Sequence, residues 1–275
     1  MTMRSDYLAF RGHPIADALD ISGTLAFLRR QQKSEPYLGR AREAVATADQ
    51  HVQEFKPLDA NHCDFCFVTL VGGEYERLAD GRERCIRCSR TALRSGEEFE
   101  KLFLTARRDM EAAFGISLTV PIKVRMVNAR EIARRTNERF EPTPGVDARV
   151  LGFAVQNRDG YALYIENGSP RLAALSTLVH ELTHIWQYRN WNVDQISQRY
   201  GEEHQIAVYE GMAAWAQVQF LRVMHEDEYA RRQEAYLRQR EDEYGVGFRV
   251  FAERYPLGLD AGGDADSPFR HAFPL

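Results

Sequence analysis

The stretch STLVHELTHIWQY, residues 176–188, decides how this chain is read. It sets His180 and His184 four residues apart, with Glu181 directly after the first, inside an apolar run of helical character. On a helix, positions i and i+4 share one face about a turn apart, so two imidazoles can reach one cation. Zinc suits such a pair, because imidazole is a favourable ligand and a tetrahedral ion accepts two nitrogens from one side. Glu181 is turned about 100° from His180 around the helix axis, near the ion without ligating it. A carboxylate there can take a proton from a water that zinc has brought to a pKa of about 7.

Chance alone puts H-E-x-x-H in roughly one chain of this length in a hundred, with no requirement that it be helical. Here the motif follows a strand-like run and a helix start, with Ser169 as cap and Pro170 as first helical residue. Leu175, Leu178, Leu182 and Ile185 keep the helix embedded, and Trp186 reads as core packing rather than a substrate contact. A catalytic zinc wants a third protein ligand and an open position. Asp194, Glu202, Glu203, His204 and Glu210 are the candidates downstream. Glu210 ranks first because it lies in AVYEGMAAWAQVQF, an amphipathic helix, where Gly211 permits close helix approach. Glu203 ranks second and His204 third; acids in a first turn favour the helix dipole without any metal.

A second constellation lies upstream. Cys63, Cys66, Cys85 and Cys88 form C-x2-C-x18-C-x2-C, the spacing of a closed four-thiolate zinc site. Without an open position such a site is structural, a staple for a unit too small to hold its own core. His62 adjoins the first knuckle and is expected to be exposed. Two zinc ions per chain are therefore expected, one catalytic and one structural.

Around these sites the chain of 275 residues reads as α+β, a small sheet plus active-site helices with a four-cysteine, ribbon-like module. Residues 1–58 form an N-terminal helical region, with helices at about 20–32 and 38–54, and 59–92 form the cysteine module. Residues 93–256 hold the catalytic domain, and 257–275 form a flexible tail rich in Gly, Asp and Pro. Within the domain the pattern gives a helix over 96–114, a strand in SLTVPIKVRMV, a helix from Asn128, and strands RVLGFAVQ and GYALYIE. Three helices follow, at about 170–190, 202–222 and 226–243. GYALYIE is expected to take up substrate backbone by strand addition.

Hydrophobic residues make up 44%, charged residues 28%, and the net charge is -4, which speaks against nucleic-acid or membrane-surface binding. No apolar leader and no long apolar run is visible, and the paired cysteines fit ligation better than disulfides, so a reducing cytoplasm is expected.

Glu210–Gly211 resembles the gluzincin metallopeptidases, in which a glutamate on the helix after H-E-x-x-H is the third ligand. More specifically, residues 60–256 resemble the C-terminal part of the plant DA-one peptidases, LIM-domain proteins activated by ubiquitin attachment. The resemblance lies in LADGRERCIRCSRTAL, ALYIENGSPRLAALSTLVHELTHIW, EGMAAWA and YGVGFR at 244–249, in this order. It implies a gluzincin-like zinc endopeptidase acting on protein or peptide substrates, with the quartet as half of a LIM-like unit. His180, His184 and Glu210 would bind zinc, and Glu181 would be the base. Residues 1–58 lack an acidic ubiquitin-binding helix, so ubiquitin-linked control is not expected and a bacterial relative is. Candidate oxyanion or substrate contacts are Tyr209, Tyr244, His204 and Arg249. The competing reading is a binding adaptor that uses the cysteine module and turns over little or nothing.

Overall fold

The run GYALYIE becomes the middle of a sheet rather than its edge. The computed structural model describes residues 62–70, 75–79, 81–136, 151–158, 160–201, 204–258 and 266–275. The expected helices at 20–32 and 38–54 lie outside them. The described residues group into two compact units, one within Leu58–Asp109 and Ser117–Ile185, the other within Met110–Ile116 and Trp186–Leu275. The architecture is α+β.

In the first unit, β1 (Tyr75–Arg77) and β2 (Glu83–Cys85) form an antiparallel ribbon, and α1 (Ile86–Arg90) follows directly. Gly81 makes the ribbon's turn at a positive φ of 89°, where a side chain would be strained. Helix α2 (Gly96–Phe114) buries Phe99, Leu102, Phe103 and Ala106. Its start is held reciprocally, since Ser95 Oγ accepts from Glu98 N at 3.2 Å and the Glu98 carboxylate accepts from Arg94 N at 2.7 Å. Strand β3 (Ile122–Val127) begins only after Pro121, which has no N–H to give a ladder. Asn128 then caps α3 (Ala129–Thr136), accepting from Glu131 N at 2.8 Å.

Strands β4 (Gly152–Asn157) and β5 (Gly160–Glu166) complete a sheet of order β3-β5-β4, with β5 parallel to β3 and antiparallel to β4. Being central, β5 is buried from Tyr161 to Glu166 on both faces. Ile132, Phe153, Ala162 and Tyr164 form one core cluster, with the Phe153 and Tyr164 rings stacked at 4.8 Å. The expectation that GYALYIE offers a free edge is therefore corrected: both its ladders are filled.

Helix α4 (Arg171–Asn190) carries the opening motif and is buried on nearly every side from Ala173 to Gln187. Its start differs from expectation. Pro170 pairs with Ala92 in an isolated β-bridge, and the buried Ser169 hydroxyl has no hydrogen-bond partner among the described residues and so does not cap the helix.

The second unit is helical, with α5 (Val193–Tyr200), α6 (Gln205–Val223), α7 (Asp227–Gln239) and α8 (Glu243–Arg254). The sequence pattern missed α5 and α8, and ran α7 on to about residue 243. The break lies at Arg240–Asp242: Asp242 caps α8, accepting from Gly245 N at 3.2 Å, and is also gripped by the Arg240 guanidinium. Helices α6 and α8 pack with their backbones almost touching. A Cβ on Gly247 would meet Gly211 Cα at 2.7 Å, so both positions need glycine. Trp215 Nε1 donates to Tyr255 O at 2.7 Å behind this crossing.

Residues 266–275 are anchored, whereas residues 259–265 of the expected flexible tail lie outside the described residues. Phe269, on a 3-10 turn at Pro268–Arg270, is buried against Phe114 and Trp186 at ring distances of 4.7 and 4.9 Å. Tyr255 OH donates to Pro274 O at 2.5 Å, and Tyr200 OH donates to Leu275 O at 2.9 Å. Among the described residues no helix is long and apolar enough to cross a membrane.

Candidate metal centres

The four cysteines come together through two different local structures. Phe67, at a positive φ of 58°, turns the chain just after Cys66, so that Phe67 N reaches Cys63 O at 2.9 Å. The second pair opens a helix instead: Cys85 stands at the N-cap of α1 and its Sγ accepts from Cys88 N at 3.4 Å. Asp64 joins the two halves, its N–H donating to Glu83 O at 2.9 Å and its carboxylate accepting from Glu83 N at 2.5 Å.

All four cysteines are buried outside any disulfide, and their sulfurs lie within 4.8 Å of one another. Cys66 Sγ and Cys85 Sγ are 3.8 Å apart, far beyond the roughly 2.05 Å of a disulfide. For a tetrahedral ion with metal–sulfur bonds of about 2.3 Å, the sulfur–sulfur edge is about 3.8 Å, which the Cys66–Cys85 pair matches. The protons agree with this. Hydrogen bonds from Cys66 first and Cys88 second pull the Cys63 thiol down to about 2, whereas Cys66 is pushed up to about 12 by its bond to Cys63. Cys88 is pushed up as well, again chiefly by Cys63. Four buried sulfurs cannot all ionise side by side unless a cation joins them.

The second group is built on α4 and α6. His180 and His184 stand one turn apart, with rings inclined at 78° and Nε2 atoms 3.1 Å from each other. Two nitrogens on a tetrahedral ion at about 2.05 Å would stand about 3.3 Å apart, which these rings meet within a few tenths of an ångström. His180, His184 and Glu210 each offer one ligand atom, all within 4.8 Å of one another, and all three residues are buried. Gln187, one turn beyond His184, donates its side-chain amide to Tyr209 O at 2.9 Å. That bond holds the residue next to Glu210. Glu181 is enclosed, with 1% of its surface exposed.

Of the other candidate ligands, Asp194 is exposed on α5, and His204 precedes α6 without capping it by its side chain; neither belongs to this group. Glu202 and Glu203 lie outside the described residues. Among the candidate oxyanion or substrate contacts, Arg249 Nη1 donates to Arg238 O at 2.8 Å and Arg240 O at 2.7 Å, holding the end of α7. Tyr244 is half-buried, with the Arg240 guanidinium 4.5 Å from its ring centroid. Tyr209 packs its ring against Trp191 at 5.1 Å, and His204 is buried.

Sequence reasoning missed Glu243, in the first turn of α8, one turn ahead of Gly247. It is buried, and its Oε2 has no hydrogen-bond partner among the described residues. Burial first, then the charges of Asp242 and Glu210, push its carboxyl up to about 7. The signal was its place directly before YGVGFR, but an acid in a first turn reads as a dipole partner.

The described residues thus hold two buried groups that could bind metal, one of four cysteines and one of two histidines and a glutamate. No family model, characterised protein or solved structure matches the chain.

Proposed function

We propose that the protein is a zinc metallopeptidase of the gluzincin type, acting on protein or peptide substrates, with a second, structural zinc on its four cysteines. The observation that carries this reading is the meeting of His180, His184 and Glu210 ligand atoms within 4.8 Å, with Glu181 next to the first histidine. Three ligands of this kind leave a fourth position for water or substrate. Bound zinc would supply Lewis acidity, bringing the pKa of water from about 15.7 to about 7 and polarising a scissile carbonyl.

The remaining work falls to side chains. Glu181 takes the water proton on its carboxylate and hands it to the leaving amine. The enclosure of Glu181 and both histidines keeps bulk water away, which strengthens charge interactions there. Because β5 is paired on both sides, a substrate backbone would add to an outer strand, β3 or β4. The four thiolates, with no place for a fifth ligand, favour a structural role for their ion. The EGMAAWA and YGVGFR segments, both part of the resemblance to the DA-one peptidases, meet at Gly211 and Gly247.

Glu181→Gln tests the reading. The variant is expected to keep two metals per chain and to lose cleavage of denatured casein and of a mixed peptide pool. Full cleavage by the variant removes Glu181 from the mechanism. A fully loaded wild type that cleaves nothing, itself included, yet binds a protein partner tightly would leave the adaptor reading.

A further inference from the structure

We infer that Arg82 is a positioning residue through which the four-cysteine group sets the geometry of helix α4, so that loading of the thiolates governs metal affinity at His180 and His184. The inference rests on the reading of the histidine group as a metal site.

Arg82 is three residues ahead of Cys85 and is 2% exposed. Its Nη1 donates to Glu166 Oε2 at 3.1 Å and its Nη2 to Glu166 Oε1, a two-pronged pair with the last residue of β5. The same guanidinium lies 4.8 Å from the centre of the Phe65 ring, which sits between Cys63 and Cys66. Arg82 therefore touches the first knuckle, is joined by chain to the second, and holds the strand that leads into α4.

Further bonds bracket the second knuckle. Ahead of it, Arg84 Nη1 donates to Gly168 O at 2.8 Å. Behind it, Leu93 N donates to Ser169 O at 3.0 Å and Arg171 N to Thr91 O at 2.9 Å. Residues 82–93 thus grip 166–171 at both ends, with Cys85 and Cys88 between the grips. Helix α4 starts at Arg171 and is continuous through His180 and His184. A cation on the sulfurs fixes Phe65 and residues 82–85 relative to each other, and so fixes the surface against which Arg82 is held.

Stability alone is a poor account of the Arg82–Glu166 pair, since apolar residues of similar volume often serve a buried site as well. What a planar fork on a carboxylate adds is direction. The pair aims the junction between β5 and α4.

The experiment uses the full chain with zinc on both groups, the histidine group then exchanged to Co2+. Co2+ affinity and visible absorption are measured in wild type, Cys63→Ser, Arg82→Lys and the double variant Arg82→Met/Glu166→Met. In the double variant and in Cys63→Ser, Co2+ binding is expected to weaken about tenfold or more, with an altered spectrum, while circular dichroism stays native. Arg82→Lys keeps the charge without the fork and is expected to fall between. Should Cys63→Ser fail to fold, the double variant decides, because its thiolates are intact. Unchanged Co2+ affinity and spectrum in the double variant overturn the inference. A wild type that never takes up metal on the histidine group instead overturns the reading beneath it.

Discussion

Gln187 and Tyr209 are joined by a hydrogen bond of 2.9 Å, from the amide of one to the backbone carbonyl of the other. One turn before Gln187 stands His184, and next to Tyr209 stands Glu210. The bond therefore lies one turn from one candidate ligand and directly beside another. Gln187→Leu keeps the volume and removes the donor. It is expected to cost about 1 kcal/mol of stability and to weaken metal binding at the histidine group about tenfold. Isothermal titration with Zn2+ and a urea melt check both, and the thiolate group should bind as before.

Metal content gives the next outcome. Wild type should carry two zinc ions per chain, Glu210→Ala losing one and Cys63→Ser the other. Since Cys66 is held near 12 and Cys88 is raised too, both keep their protons at neutral pH when no cation is present. Loading the reduced, metal-free chain should then release at least two protons from the thiolate group, visible with a pH indicator in weak buffer. Loading without proton release would show that the sulfurs are not the ligands.

The crossing of α6 and α8 makes a steric prediction. At Gly247 a methyl group would strike backbone at Gly211 and at Ala207, and backbone cannot swing aside as a side chain can. Gly247→Ala should cost about 1–3 kcal/mol by forcing the helices apart. Because Glu210 adjoins the crossing, zinc binding at the histidine group should weaken as well. A variant as stable as wild type would mean that the helices are not this close.

Glu243 predicts a pH dependence. Its folded-state carboxyl is raised from 4.5 to about 7, so between those values the folded chain holds a proton that the unfolded chain has released. Stability in chelator should fall as pH climbs through this window and level off above it, by up to about 3 kcal/mol. Glu243→Gln should remove the slope. Urea midpoints at pH 5 and pH 8 for both proteins give the comparison, and equal slopes would refute the assignment.

Spacing made much of this legible. A four-residue interval on a helix and a C-x2-C pair are local constraints, so the histidines, the cysteines and helix α2 could be read directly from the chain. The choice of Glu210 came from its place on an amphipathic helix beside a glycine. Features that depend on distant partners were not legible. Nothing near Arg82 announces Glu166, 84 residues on. The tail misled because its Gly/Asp run hid one aromatic anchor, Phe269, whose pocket is made by Phe114 and Trp186. GYALYIE looked like an edge because its alternation says which face is apolar and not which neighbours it has. Ser169 had the right residue type for a cap, but the pairing of Pro170 with Ala92 took the chain elsewhere.

The burial of all four sulfurs in the cysteine group also sets a clock. A chelator cannot grasp an ion whose donors are shielded by packed side chains, so extraction must wait for the protein to breathe. Stripping rates should then stay flat as chelator concentration rises, reporting how often the fold opens rather than how avidly the reagent binds.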